Sequence, residues 1–445
     1  MNTAKTYSFK NIWKIAFPII LGSIAQDLIT IVDTAFVGRL GETELGAVAI
    51  GSIFYLAIVM LGWGFGLGVQ IIIARRFGEN NIESINKTLL HSFVVLIILA
   101  IVVVGIVKAF NPYFLDFMIS SEAIKSQSQD FLNIRIWGLF AAFINITFRA
   151  FYIGTSNTKI IGYTTILMAL VNVTFDYLLI FGIGNFPELL IKGAAIASVI
   201  AEYCALIFFF VYTLLNKKVK KFNLFKREKF DKSLLKKIFV IASPTTLQNF
   251  ISFSAWFLFF IFVEKMGEIP LAVSNIIRSI YIIMILPIMG FASATNTLVS
   301  YSMGRNETKY VPEIIKKTLL LSGIGIFSLT TICLIFPIQI IGFFTNIPDI
   351  INATLPVFYV VMVAAYTLGF GFIMYQAVSG TGNTITSLFL EITIITIYML
   401  GVFYISKKPN ALIQHVWIME IVYGMLLGTF SLLYLKYGNW KNKKI

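Results

Sequence analysis

The chain has 445 residues, 58% of them hydrophobic and only 13% charged, with a mean hydropathy of +0.87. That is too few polar side chains to cover a soluble globule of this size, so the composition excludes one and implies an integral membrane protein. The formal charge of +14 does not restore a nucleic-acid role, because the basic residues fall in short loops between apolar runs, where they orient a chain in the bilayer.

With about 20 apolar residues as the crossing length, six spans are predicted at 12–36, 47–74, 89–110, 128–153, 160–183 and 192–215. Six more follow at 237–263, 272–302, 313–342, 353–379, 385–406 and 411–436. These runs are too long for barrel strands and lack period-two alternation, so the fold class is an all-α polytopic membrane protein with twelve transmembrane helices. The N-terminus runs into the first span without a small-residue cleavage site and reads as a retained span. Cys204 and Cys333 lie inside apolar runs without metal-ligand spacing and are expected to be buried thiols.

The connection Lys217 to Lys237 holds ten Lys and Arg against Glu228 and Asp231. The positive-inside rule makes it cytoplasmic, and twelve spans then put both termini inside. Arg75, Arg76, Lys159, Arg305, Lys309 and the tail lysines agree, and only Lys407 and Lys408 dissent.

An offset of 226 residues superposes Pro18 on Pro244, Gly41-Glu42 on Gly267-Glu268, Tyr55 on Tyr281, and Gly78 on Gly304. It also carries Gly154-Thr155 to Gly380-Thr381 and Asn157-Thr158 to Asn383-Thr384. One offset serving three loops marks an internal duplication. The expected organisation is two pseudo-symmetric six-helix lobes, 1–215 and 237–445, joined by a cytoplasmic basic linker at 216–236. An even number of spans per half gives both halves the same orientation, which is the parallel-repeat plan of many secondary transporters.

Acids inside spans are costly and mark functional sites. Asp33 lies near the outer end of the first span, where it can also snorkel to water. Asp176 sits in the fifth span at similar depth, with Asn172 one turn away on the same face. A carboxylate and an amide facing one cavity form a proton or cation site. Asp27, six residues before Asp33, points to another face, and Glu202, Glu391 and Glu420 are further intramembrane acids that can join a relay or be carboxyls pinned between helices. His91 and His415 have no metal-binding motif around them, and neither a metal nor a cofactor is expected. Gly62, Gly64, Gly66 and Gly68 lack the Lys-Ser/Thr of a phosphate loop and read as helix packing or a bend. Methionines such as Met284, Met289 and Met362 can line a promiscuous cavity or simply pack.

Several stretches together resemble the MATE family, the multidrug and toxic compound extrusion transporters. They are IVDTAFVGRLGETELGAVAIG after the first span, GLGVQIIIARRFGENN closing the second, RAFYIGTSNTKI at the fourth-to-fifth turn, and NVTFDYLLIFG with KGAAIASVIAEY. Asp33 and Asp176 together are similar to the branch named after DNA-damage-inducible protein F. The resemblance implies an antiporter, not an enzyme, whose two lobes form a V around a central cavity. It would export amphipathic or cationic compounds from a bacterial or archaeal cytoplasmic membrane in exchange for H⁺ or Na⁺, as a monomer. It implies coupling residues Asp33 and Asp176, with Asn172 beside Asp176; Asp27, which the family motif does not require, and Glu202 are relay candidates only as intramembrane acids. Other branches carry coupling acids on spans seven and ten, whereas 249–263 and 358–378 have none here; the C-terminal half is therefore expected to lack that site. Pro18 and Pro287 mark helices able to bend. The alternative is a flippase for lipid-linked oligosaccharides, which needs cavity cations, and these are sparse, with Arg135, Arg149 and Arg278 the arginines within spans.

Overall fold

In a computed structural model the described residues are 6–119, 121–226 and 228–445. The N-terminal residues 1–5, expected on the cytoplasmic side, and Arg227 of the basic linker lie outside them. Among the described residues eleven helices are long and apolar enough to cross a membrane: Phe9–Val37, Glu42–Gly78, Ile82–Phe110, Lys159–Phe181, Ile191–Leu215, Lys232–Glu264, Glu268–Gly304, Thr308–Ile335, Pro348–Gly380, Thr384–Ser406 and Ile413–Tyr437. The twelfth span, fourth in chain order, is a broken pair, Glu122–Arg135 and Gly138–Gly154, inclined by 50°.

Two predicted spans change shape. The fourth was expected to run unbroken over 128–153. It bends at Ile136–Trp137, where Gly138 leaves room against Glu202 and Arg135 that a Cβ would fill. The ninth was expected to reach residue 342, but its helix ends at Ile335 and Pro337 opens a separate short helix, Pro337–Gly342. The cysteines are half-buried, not buried; Cys204 sits beside the buried stripe of Ala201 and Ala205, on a neighbouring face of the sixth span.

Contacts divide the chain into two compact units, Leu21–Ala242 and Met1–Ile20 with Ser243–Ile445. The first span therefore passes from one unit to the other at Ile20–Leu21, and the seventh at Ala242–Ser243. Pro18 and Pro244 lie next to these crossings, inside otherwise continuous helices.

In the unit Leu21–Ala242 the glycine run of the second span is packing surface. A Cβ on Gly62 would meet the Phe143 ring at 2.6 Å, and Gly66 lies against Ile146. The linker is tied to the third span. Asn86 donates to the Lys226 carbonyl and accepts from Phe225 N–H, while His91 Nε2 accepts the Asp231 N–H at 2.9 Å. The Asp231 carboxylate then caps the seventh span, accepting from Leu234 and Ser233 N–H groups, and the Leu234 bond foremost holds its pKa below the usual carboxylate value.

In the other unit the core gathers around Phe259, Tyr281, Met284, Phe358, Met362, Tyr398 and Trp417, so Met284 and Met362 serve as packing. Its tightest helix pair is the tenth span on the twelfth. A Cβ on Gly424 would come within 2.6 Å of the Thr367 backbone, and one on Gly371 within 2.6 Å of the Gly424 carbonyl. Tyr7, ahead of the first span, donates to Glu307 at 2.8 Å, and burial with the Glu307 charge raises its pKa.

Candidate functional site

Three residues of the unit Leu21–Ala242 converge from two helices. Asp33 comes from the C-terminal third of the first span, and Asn172 and Asp176, four residues apart, come from one face of the fifth. Asp176 and Asn172 both lie within side-chain hydrogen-bonding reach of Asp33. Asp176 is 0% exposed and Asn172 1%, whereas Asp33 keeps part of its surface open. Asn172 Nδ2 reaches Ser198 Oγ of the sixth span at 3.5 Å, which adds a hydroxyl to the set.

The oxygens of this cluster are conspicuously unused. Asp33 Oδ1, both carboxyl oxygens of Asp176 and Asn172 Oδ1 are buried with no donor reaching them, and the Asp33 and Asp176 carboxyl groups stand close enough to share a proton. Burying such acceptors unsatisfied costs about 1–3 kcal/mol each, more when charged. Two carboxylates in a low dielectric also disfavour simultaneous ionisation. A proton or a small cation relieves both penalties at once, and four converging oxygen donors are a ligand set for a hard monovalent ion.

Beside this cluster lies a closed ion pair. Arg135 grips Glu202 with two parallel bonds, 2.9 and 2.6 Å, and the guanidinium carbon stands 3.7 Å from the Tyr55 ring centroid. The Tyr55 hydroxyl donates to the same carboxylate at 3.0 Å, and Asn145 donates to the Glu202 carbonyl. Glu202 is thus fully engaged, and the bend of the fourth span is what delivers Arg135 to it. Asp27 stands apart, half-buried, with Oδ2 unpartnered. Sequence reasoning did not find Ser198 or the pairing of Arg135 with Glu202; the Tyr55–Tyr281 match in the repeat was the available signal for the second.

The other unit carries the repeat-related positions with different contents. The duplication offset takes Asp33 to Phe259, Asn172 to Tyr398 and Asp176 to Val402. All three are buried, with Phe259 and Tyr398 stacked at 6.3 Å. Tyr281, the mate of Tyr55, again donates to a sixth-position-span carboxylate, Glu420, at 2.8 Å, but Tyr398 supplies the second donor where the first unit uses an arginine. Glu391 accepts from Ser252 and Tyr423, both at 2.7 Å. Both acids are pinned between helices by hydroxyls.

Comparison with known proteins agrees with this geometry. The MatE family model matches residues 18–178 and again 244–404, two segments separated by the offset of the internal repeat. A Thermotoga maritima protein called "Probable multidrug resistance protein NorM" is 24% identical over 98% of this chain and 94% of its own length. A structure described as the outward-facing conformation of a multidrug resistance MATE family transporter superposes with TM-score 0.89 at 19% identity, covering 98% of this chain and 97% of the other. A Pyrococcus furiosus transporter of the MOP superfamily, described as having a binding pocket of reversed polarity, superposes with TM-score 0.87 at 20% identity over 98% and 97%.

Proposed function

This chain belongs to the MatE family, a family of multi-pass membrane transporters, and from that membership we propose that it is a secondary active antiporter. It exports amphipathic or cationic small molecules in exchange for H⁺ or Na⁺. The observation that carries the coupling is the cluster of Asp33, Asn172 and Asp176 with its four unpartnered buried oxygens. Asp33, the partly open member, admits the cation. Asp176 and Asn172 hold it, with Ser198 within reach of the amide. Occupancy changes the charge between the first and fifth spans, and therefore how the first span packs. Antiport needs only that bound cation and bound substrate favour opposite conformations. Asp27 lies six residues from Asp33 and remains a relay group toward it. Glu202 in this reading is a relay only when Arg135 releases it.

Two further elements belong to the proposal: a monomer in the cytoplasmic membrane of a bacterium or archaeon, with both termini and the linker inside, and two six-helix lobes of common ancestry. The flippase alternative needs free cavity cations, and of its three arginine candidates Arg135 is bound to Glu202. Proteoliposomes with separately imposed pH and sodium gradients test the function. Efflux of a cationic dye driven by one of the two gradients is expected; no gradient-driven efflux by protein that binds the dye refutes it. Cysteine labelling at Lys226 tests the topology, and modification from outside the cell refutes it.

A further inference from the structure

A groove of about 450 Å³ opens on the unit that contains Ser243–Ile445, at the ends of the ninth, tenth and twelfth spans that the proposed topology turns toward the cytoplasm. Its walls are apolar, with Phe370 and Met374 from the tenth span and Leu432 from the twelfth. Trp440, from the tail after the twelfth span, also lines it; it is 3% exposed and its indole N–H donates to the Leu435 carbonyl at 2.8 Å. Two cations stand among the lining residues, Lys316 on the ninth span and Lys436 on the twelfth, and no carboxylate does.

The contrast with neighbouring cations is what gives this pair meaning. Lys317, one residue on, is taken by Glu313 and by the Tyr7 carbonyl. Arg305 is bound to Glu307, which foremost raises its pKa. Lys316 and Lys436 form no ion pair with a described acid, and they approach one groove from two helices. An apolar slot of this volume, with two lysines unpaired by any described acid and a tryptophan among its lining residues, on the face the proposed topology turns toward the cytoplasm, fits one kind of molecule. Basic pockets between spans on the cytoplasmic side bind anionic lipid headgroups, and tryptophan favours the same interfacial level.

We propose that this groove is a binding site for one anionic phospholipid, with an acyl chain against Phe370, Met374 and Leu432 and the phosphate held by Lys316 and Lys436. The seated chain lies against the inner end of the tenth and twelfth spans, the pair whose close approach at Gly371 and Gly424 makes it the tightest in the unit. The lipid braces that pair from the bilayer side.

The test uses the purified full chain and native mass spectrometry with added lipid. Wild-type protein is expected to retain one dioleoyl phosphatidylglycerol in preference to dioleoyl phosphatidylcholine by about thirtyfold, from two lysines at about 1 kcal/mol each. Lys316→Gln with Lys436→Gln, both exposed side chains, should abolish the preference while leaving gradient-driven efflux capacity in proteoliposomes present. Dihexanoyl phosphatidylglycerol, which has the headgroup without the long chains, should compete at least tenfold more weakly. Equal retention of the two dioleoyl lipids, an unchanged preference in the double variant, or full competition by the short-chain lipid each overturns the proposal. None of these outcomes depends on whether the coupling cluster acts as proposed.

Discussion

Asp176→Asn is the most informative single change, because asparagine keeps the shape and removes only the charge. Asp176 is fully buried, no donor reaches either of its oxygens, and its nearest polar neighbour is the Asp33 carboxyl group. Two unit charges about 4 Å apart interact by about 4 kcal/mol at an effective dielectric near 20, against about 1 kcal/mol in water. For a cation held at the Asp176 carboxylate the larger figure applies, since no solvent reaches it. Loss of that charge should weaken apparent cation affinity by about a thousandfold, at about 1.4 kcal/mol per tenfold. Asp33 is partly open and screened, so Asp33→Asn should weaken it less, between about fivefold and a thousandfold. The assay is the concentration of driving cation that gives half-maximal dye efflux from proteoliposomes, with protein amount and dye binding measured in parallel. The two charges serve one ion, so the double variant should be no worse than Asp176→Asn by more than about tenfold. Wild-type cation dependence in folded Asp176→Asn protein, or a larger loss from Asp33→Asn, would refute the arrangement.

The Arg135–Glu202 pair should behave oppositely in its singles and double. Arg135→Gln or Glu202→Gln leaves one largely buried charge unpaired and should destabilise by about 3 kcal/mol, while the double recovers most of it; equal thermal unfolding temperatures for singles and double would count against a buried pair. Gly424→Ala should push the twelfth span off the Thr367 backbone and destabilise by about 1–3 kcal/mol, whereas Gly105→Ala, with nothing within 4 Å of the new carbon, should be neutral or slightly stabilising. Thermal unfolding in detergent separates the two. Glu391→Gln and Glu420→Gln should leave cation-driven efflux largely intact, because tyrosine hydroxyls bond both oxygens of Glu420 and serine and tyrosine hydroxyls hold Oε1 of Glu391, while the motif-matching acids all lie in the first half. Loss of coupling in either, with normal expression, would move the coupling site to the other unit.

Much of this molecule can be read from the chain, and the limits have a physical pattern. Span number follows from hydropathy because the bilayer requires every backbone group to be satisfied within the element. Asp33 and Asp176 stand out because a carboxylate in an apolar run is so costly that depth alone marks it. What escapes the sequence is pairing at long range. Arg135 and Glu202 are 67 positions apart, and nothing local to either announces the bend that joins them. Ser198 is an ordinary small residue on a helix full of them. The ends of the ninth span slipped because Phe336 and Pro337 sit inside a run whose average hydropathy conceals the break. The replacement of Asp33, Asn172 and Asp176 by Phe259, Tyr398 and Val402 was legible through the repeat, yet the stack that fills the vacated volume needed coordinates.

The exchange of helix segments at Ile20–Leu21 and Ala242–Ser243 bears on ancestry. Each half of the sequence gives the beginning of its first helix to the unit built mainly from the other half, and the two crossings sit beside prolines related by the duplication. A single half, before duplication, would have had a compact fold only by trading that segment with a second copy of itself. That is the definition of domain swapping, a low-cost route to a dimer. The present chain then reads as a swapped homodimer made permanent by gene fusion. Once fused, the two copies were free to differ at positions such as Asp33 and Phe259 without losing the segment that completes the other unit.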